Sequence, residues 1–361
     1  MPAADALKGL ACILIVWHHL AFYGPMSDVA RPLAPALFNW LYADGRMAVQ
    51  VFLAVSGFLL ARGLGLGRWP DGVPSAWIGR RYLRLVLPYA LALLLAIVAA
   101  AVARAWIPDD GTVPGPPHAA QLVAHLLLLQ DLLDVEALSA GVWYVAIDFQ
   151  LFVCAVGLCL AGRALQRWPL LAGRAPEVWL VAGVAAASLL WFNRDARLDE
   201  TALYFAGAHG LGLLAGWAVR SRRPGLWLAA VALLGLAALA LDWRGRIAVA
   251  LATALVLGVS LLPAARWRWR CPSALERLSE ASYCVFLVHY PVCLLVSAAW
   301  SLLWPTQPLW NAVGMLLAFG LSLLAGQGLH RIELQLQRPR APLGLWMALA
   351  AAGVLVLGLS A

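Results

Sequence analysis

Two consecutive histidines, His18 and His19, lie near the end of an apolar run that begins with Asp5 and Lys8. An imidazole kept neutral by an apolar setting can take a proton from a hydroxyl near pH 7. The same ring can instead be an interfacial group hydrogen-bonded to a neighbouring helix. On a helix turning about 100° per residue, Lys8 and His19 return to within about 20° of one face, while His18 points about 80° away. Asp5 falls near the same face. The spacing therefore favours His19 over His18 as a proton acceptor, with Lys8 beneath it as a cation.

Three other groups carry comparable chemistry. Asp148 interrupts the apolar segment Trp143–Phe152, where a lone carboxylate needs a partner. It fits either a protonated structural role or that of orienting an imidazole and stabilising its cation. Arg80, Arg81 and Arg84 open another apolar stretch. Arg81 and Arg84, three residues apart, can turn two guanidinium forks toward one set of phosphate oxygens, or can simply anchor a helix at a membrane surface. His289, two residues before Pro291, fits a hydrogen-bonded packing role at a proline kink or direct chemistry. His209 sits among glycines, and His118 and His125 fall in a connection where they can meet an external acceptor or remain solvated. No HExxH, CxxC or GxxxxGK spacing occurs, so no metal site and no P-loop is expected.

The elements that must hold these groups are set by composition. Of the 361 residues 63% are hydrophobic and 12% are charged, about half the charged fraction of an average globular chain. That excludes a soluble enzyme, a disordered regulator and a disulfide scaffold. The net charge of +8 comes from basic residues that punctuate apolar runs instead of forming one solvated face, so no nucleic-acid partner is expected. Apolar segments at 7–23, 46–65, 82–106, 141–161, 177–192, 201–220, 225–241, 246–262, 281–303, 309–329 and 341–360 predict an all-α polytopic membrane bundle of about ten to eleven spans. Leu, Ala and Val dominate them without the alternating polarity of a membrane barrel.

Most of the 26 basic residues fall on one side if the N-terminus is cytoplasmic, including Arg80, Arg81, Arg84, Arg163, Arg220, Arg266 and Arg331. This is the direction of positive-inside insertion. The first span has no small-x-small site after Trp17-His18-His19 and is read as a helix, not a cleaved signal. The stretch 107–140 is expected outside, where its leucine run 126–129 suits a re-entrant element. Five of the six cysteines lie inside spans, so no structural disulfide is expected.

Five segments, in order, resemble the membrane-bound acyltransferase-3 family over roughly residues 5–335. Asp5-Ala6-Leu7-Lys8-Gly9-Leu10-Ala11 with His18-His19 resembles the opening D-x-L-R-G-x-A and its downstream histidine. Val51 through Phe58 resembles F-x-x-S-G-F, and Arg81-Tyr82-Leu83-Arg84 with Pro88-Tyr89 resembles the R-x-x-R entrance to the third span. Trp143–Phe152 resembles W-S-L-x-V-E-x-Q-F-Y, and Ser282–Pro291 resembles S-Y-x-x-Y-L-x-H-x-P.

The resemblance implies transfer of an acyl group, commonly acetyl, from cytoplasmic acyl-CoA to a hydroxyl of a glycan or other small acceptor, often extracytoplasmic. It puts His19 at the essential histidine and Arg81 and Arg84 at the paired arginines that meet the donor. Asp148 replaces the usual Glu, one methylene shorter, and Lys8 replaces an Arg, keeping charge but losing the bidentate fork. Acyl-CoA enters as a donor substrate, and no tightly bound cofactor is expected. Residues 1–335 form the family-like domain and 336–361 one additional helix, leaving no room for the soluble esterase-like domain some relatives append. Short loops suit a bacterial inner membrane. The rival class is a transporter or flippase, since intramembrane His and Asp also relay protons.

Overall fold

The computed structural model describes residues 1–64, 73–106, 113–171, 174–262, 269–336 and 353. Among them there are helices and connections, and no strand. Thirteen α-helices follow in order: α1 Pro2–Phe22, α2 Met26–Ala30, α3 Pro35–Asp44, α4 Ala48–Gly63, α5 Pro74–Trp106, α6 Ala119–Leu126, α7 Val142–Leu165, α8 Pro176–Leu190, α9 Ala202–Ala218, α10 Pro224–Leu241, α11 Gly245–Ser260, α12 Ser273–Leu303 and α13 Pro308–Leu336. Among the described residues, eight helical stretches are long and apolar enough to cross a bilayer, and α9 and α11 are shorter apolar helices. The protein is an all-α polytopic integral membrane bundle. Ten of the expected spans correspond to α1, α4, α5 and α7–α13; the expected span 341–360 lies outside the described residues except for 353, and the separate segment 336–361 except for 336 and 353.

Helices α5, α12 and α13 run 33, 31 and 29 residues, or roughly 43–50 Å at 1.5 Å per residue. They exceed the apolar core of about 30 Å. Arg80, Arg81 and Arg84, like Glu276, Arg277 and Glu280, interrupt the apolar run without interrupting the helix, because straight-chain charged residues have good helix propensity. The prolines at 88 and 291 lie within α5 and α12. A bilayer tolerates such prolines when neighbouring groups answer the freed carbonyl.

The described part of 107–140 holds α6 and a short 3-10 turn at Asp131–Leu133. Its leucine run does not continue as a helix: Leu128 adopts a left-handed φ of 58°, and Leu128 is buried while Leu127 and Leu129 are exposed. His118 caps α6, accepting from the Gln121 backbone N–H while its own N–H is met by the Gln121 side chain. His125 is fully buried, with Nδ1 on the Gln121 carbonyl and Nε2 accepting from the Leu138 N–H. It holds this connection together and is not available to an external acceptor, contrary to the sequence expectation.

The chain divides into two compact units, Met1–Ala11, Met47–Arg80 and Ile147–Glu276 in one, and Cys12–Arg46, Arg81–Ala146 and Arg277–Ala361 in the other. In the first, α4 lies against α9 through glycines. A Cβ at Gly57 would meet the His209 carbonyl, one at Gly212 the Ala54 carbonyl, and one at Gly216 the Phe58 carbonyl. Gly212 and Gly216 form the small-xxx-small spacing that lets two helix backbones touch where no water drives association. In the second unit, α5 and α12 meet through Ala99, Ala100 and Ala103 against Tyr290, Leu294 and Ala298. The Tyr283 hydroxyl donates to the Leu85 carbonyl at 2.8 Å and the Tyr82 hydroxyl to the Leu126 carbonyl at 2.7 Å, so α12 and the α6 connection both fix α5. All six cysteines are free thiols.

Candidate active site

His19 emerges from the last turn of α1 into the second unit, where its ring meets His289 of α12. His19 Nδ1 lies 2.5 Å from His289 Nε2, and His289 Nδ1 lies 2.5 Å from the Phe286 carbonyl. A carbonyl only accepts, so the hydrogen-bond network assigns the His289 proton to Nδ1. His289 Nε2 is then an acceptor, and the His19 proton sits on Nδ1. The His19 nitrogen left with an open lone pair is Nε2. Ring planes 8° apart with centroids at 4.7 Å agree with an edge-to-edge N–H···N bond: the centroid separation exceeds the N···N distance by about one ring radius on each side.

Both rings are withdrawn from solvent, with His19 8% and His289 0% exposed. Aromatic neighbours enclose them, Tyr23 against His19 and against Tyr290, and Phe286 against both His289 and Tyr144. Gly141 permits this closure: it has a φ of 79°, and a Cβ there would come within 2.7 Å of the Phe286 ring. His18 turns elsewhere, its Nδ1 donating to the Leu41 carbonyl at 2.8 Å. It tethers α1 to α3.

A small cavity beside Phe286 is lined by Tyr89, Leu93, Ser139, Ala140 and Val142. The buried hydroxyls of Tyr89 and Ser139 have no hydrogen-bond partner among the described residues. Two unmet hydroxyls next to an otherwise apolar cavity suit a polar atom of a bound molecule or a water.

Asp148 lies in the first unit, on α7, 6% exposed. Ser56 of α4 donates to its Oδ1 at 2.6 Å, joining two of the segments on which the sequence resemblance rests. Lys8 belongs to the same unit, half-buried on α1, while Arg81 and Arg84 belong to the second. One turn of α5 carries Arg81, half-buried, and Arg84, exposed.

The sequence-predicted residues therefore divide between the two units. His19 has His289 as its ring partner, a residue that sequence reasoning noted but did not place in the site, and Asp148 has Ser56. The available signal was the family-like Ser282–Pro291 segment itself, whose histidine occupies the apolar face of a long helix. A family model described as an acyltransferase domain matches residues 1–327. No curated protein and no solved structure matches the chain.

Proposed function

Because the chain belongs to the acyltransferase-3 family, and is a membrane acyltransferase, we propose that it transfers a short acyl group, such as acetyl, from acyl-CoA to a hydroxyl of a glycan or other small acceptor. The observation that carries this reading is the buried Phe286 carbonyl–His289–His19 chain, which leaves His19 Nε2 as a base. The acceptor O–H gives its proton to His19 Nε2 as its oxygen attacks the thioester carbonyl. The C–S bond breaks, and the CoA sulfur leaves with the proton returned from His19. His289 holds the tautomer and shares the imidazolium charge, the part a carboxylate plays in other His-dependent enzymes.

Arg81 and Arg84 are proposed to contact the phosphates of the donor, with Lys8 as a further cation. Asp148, held by Ser56, is proposed to stabilise positive charge that develops during transfer. The unmet Tyr89 and Ser139 hydroxyls support a polar group of the substrate in the neighbouring cavity. The donor side suits the cytoplasm of a bacterial inner membrane with the N-terminus inside.

The test is label transfer from acetyl-CoA to candidate glycans by the purified chain. His19→Ala is expected to abolish transfer while the protein stays folded and binds donor. Full activity in a folded His19→Ala protein would remove the assignment, acylated His19 trapped during turnover would show a covalent intermediate, and substrate flux in liposomes without acyl-CoA would favour transport.

A further inference from the structure

Away from the histidine pair, the second unit gathers three metal-ligating side chains from two helices. Cys284 of α12 and His330 and Glu333 of α13 have donor atoms that all lie within 4.8 Å of one another. Cys284 Sγ is 3.4 Å and His330 Nδ1 3.0 Å from Glu333 Oε2. Cys284 and Glu333 are buried and His330 is partly exposed. Nothing in the acyl-transfer reading uses these groups.

We propose that Cys284, His330 and Glu333 bind a thiophilic divalent cation of the zinc class. Sulfur, nitrogen and one carboxylate oxygen suit zinc, whereas magnesium and calcium demand oxygen donors. With metal–ligand bonds of about 2.0–2.3 Å, tetrahedral zinc places its donors about 3.5 Å apart, close to the two separations from Glu333, and the Cys284 and His330 donors lie within 4.8 Å of each other. Charge favours the same choice. A thiolate and a carboxylate cancel a divalent cation, giving a neutral assembly in surroundings where either anion alone is costly. On binding, the thiol proton leaves to water, the proton that His330 Nδ1 donates to Glu333 is given up so that Nδ1 can ligate while Nε2 carries the ring proton, and Glu333 exchanges its two hydrogen bonds for a metal bond.

The two helices are in close backbone contact at this point. Gly326, one turn before His330, lies so close to α12 that a Cβ would fall 2.5 Å from Val285 Cα. His330 and Glu333, three apart, share a face of α13, and Cys284 adjoins Val285 on α12. The contact of the two backbones therefore fixes all three ligands. Three protein ligands leave a fourth position for water, and the partly exposed His330 supplies the entry side. The ligands are separated by 46 and 3 residues along the chain, so no local motif announces them.

Cobalt(II) added to the purified, chelator-stripped full chain reports the site directly. One cobalt per chain is expected, with a thiolate-to-cobalt charge-transfer band that zinc displaces. Cys284→Ser should abolish the band, and His330→Ala should weaken cobalt binding by about tenfold or more. Replacing a partly exposed thiol elsewhere, Cys271→Ser, should change neither. Absence of the band in folded wild-type protein, or its survival in Cys284→Ser, overturns the site. Should Cys284→Ser fail to fold, an unchanged cobalt affinity in His330→Ala overturns it equally.

Discussion

At the scale of the residue, the division of labour between His19 and His289 makes their substitutions distinguishable. In the proposed mechanism His289 acts on His19 Nδ1, so His289→Ala should lower kcat by roughly 10²–10⁴-fold with little change in donor KM. His289→Gln, whose side-chain oxygen can still accept from His19 Nδ1, should recover part of the loss. Equal activity of the Ala and Gln variants would reduce His289 to packing. His18→Ala should cost stability through the lost Leu41 contact and leave the chemical step in place. For Arg81 and Arg84, replacement by Lys keeps charge and removes the fork, so donor affinity should fall for either variant; affinity unchanged in both would make the pair a surface anchor. The sequence made His19 legible because a helical face singles it out, and Asp148 because an acid interrupts an apolar segment. The His289 role was not legible, since 270 residues separate the two rings and no local spacing reports a contact of that range.

At the scale of the element, close backbone contact positions the polar groups. Ser56 reaches Asp148 from an α4 held against α9 by Gly57, Gly212 and Gly216. Gly212→Ala puts a methyl into the Ala54 carbonyl and forces the helices apart, which should destabilise the unit by about 1–3 kcal/mol and lower activity as Ser56 shifts. Gly183 on α8 has nothing within 4 Å of a Cβ, so Gly183→Ala should leave stability unchanged or raise it by up to about 1 kcal/mol. Thermal unfolding in detergent compares the two; equal effects would show that α4 and α9 do not need the contact. Apolar runs announced where the helices lie, because bilayer burial requires them. They understated α5, α12 and α13, whose charged turns remain helical outside the apolar band, and they could not separate Gly57, Gly212 and Gly216 from glycines facing open space. That distinction belongs to the neighbour, not to the chain.

At the scale of the whole molecule, the direction of the proposed transfer depends on orientation, because a cytoplasmic acyl-CoA donor and an extracytoplasmic glycan acceptor would lie on opposite sides of the membrane. The arginine asymmetry predicts a cytoplasmic N-terminus, with the connection before α5 inside and the one after it outside. Helix α5 separates Val73 from Ala120; both are exposed, and its 33 residues are more than enough to span the bilayer. In a cysteine-free background, Val73→Cys should react with a membrane-impermeant maleimide only from the cytoplasmic side and Ala120→Cys only from the opposite side. Native Cys154 and Cys271 must be removed first, because Cys154 is exposed and Cys271 partly so. Labelling of both positions from one side would deny α5 its span, and exchange of the two sides would invert the topology. Inversion would also carry Arg81 and Arg84 away from the compartment that holds acyl-CoA. The experiment therefore tests the donor assignment independently of His19: an arginine pair facing outward cannot hold a cytoplasmic phosphate, whatever the histidine does.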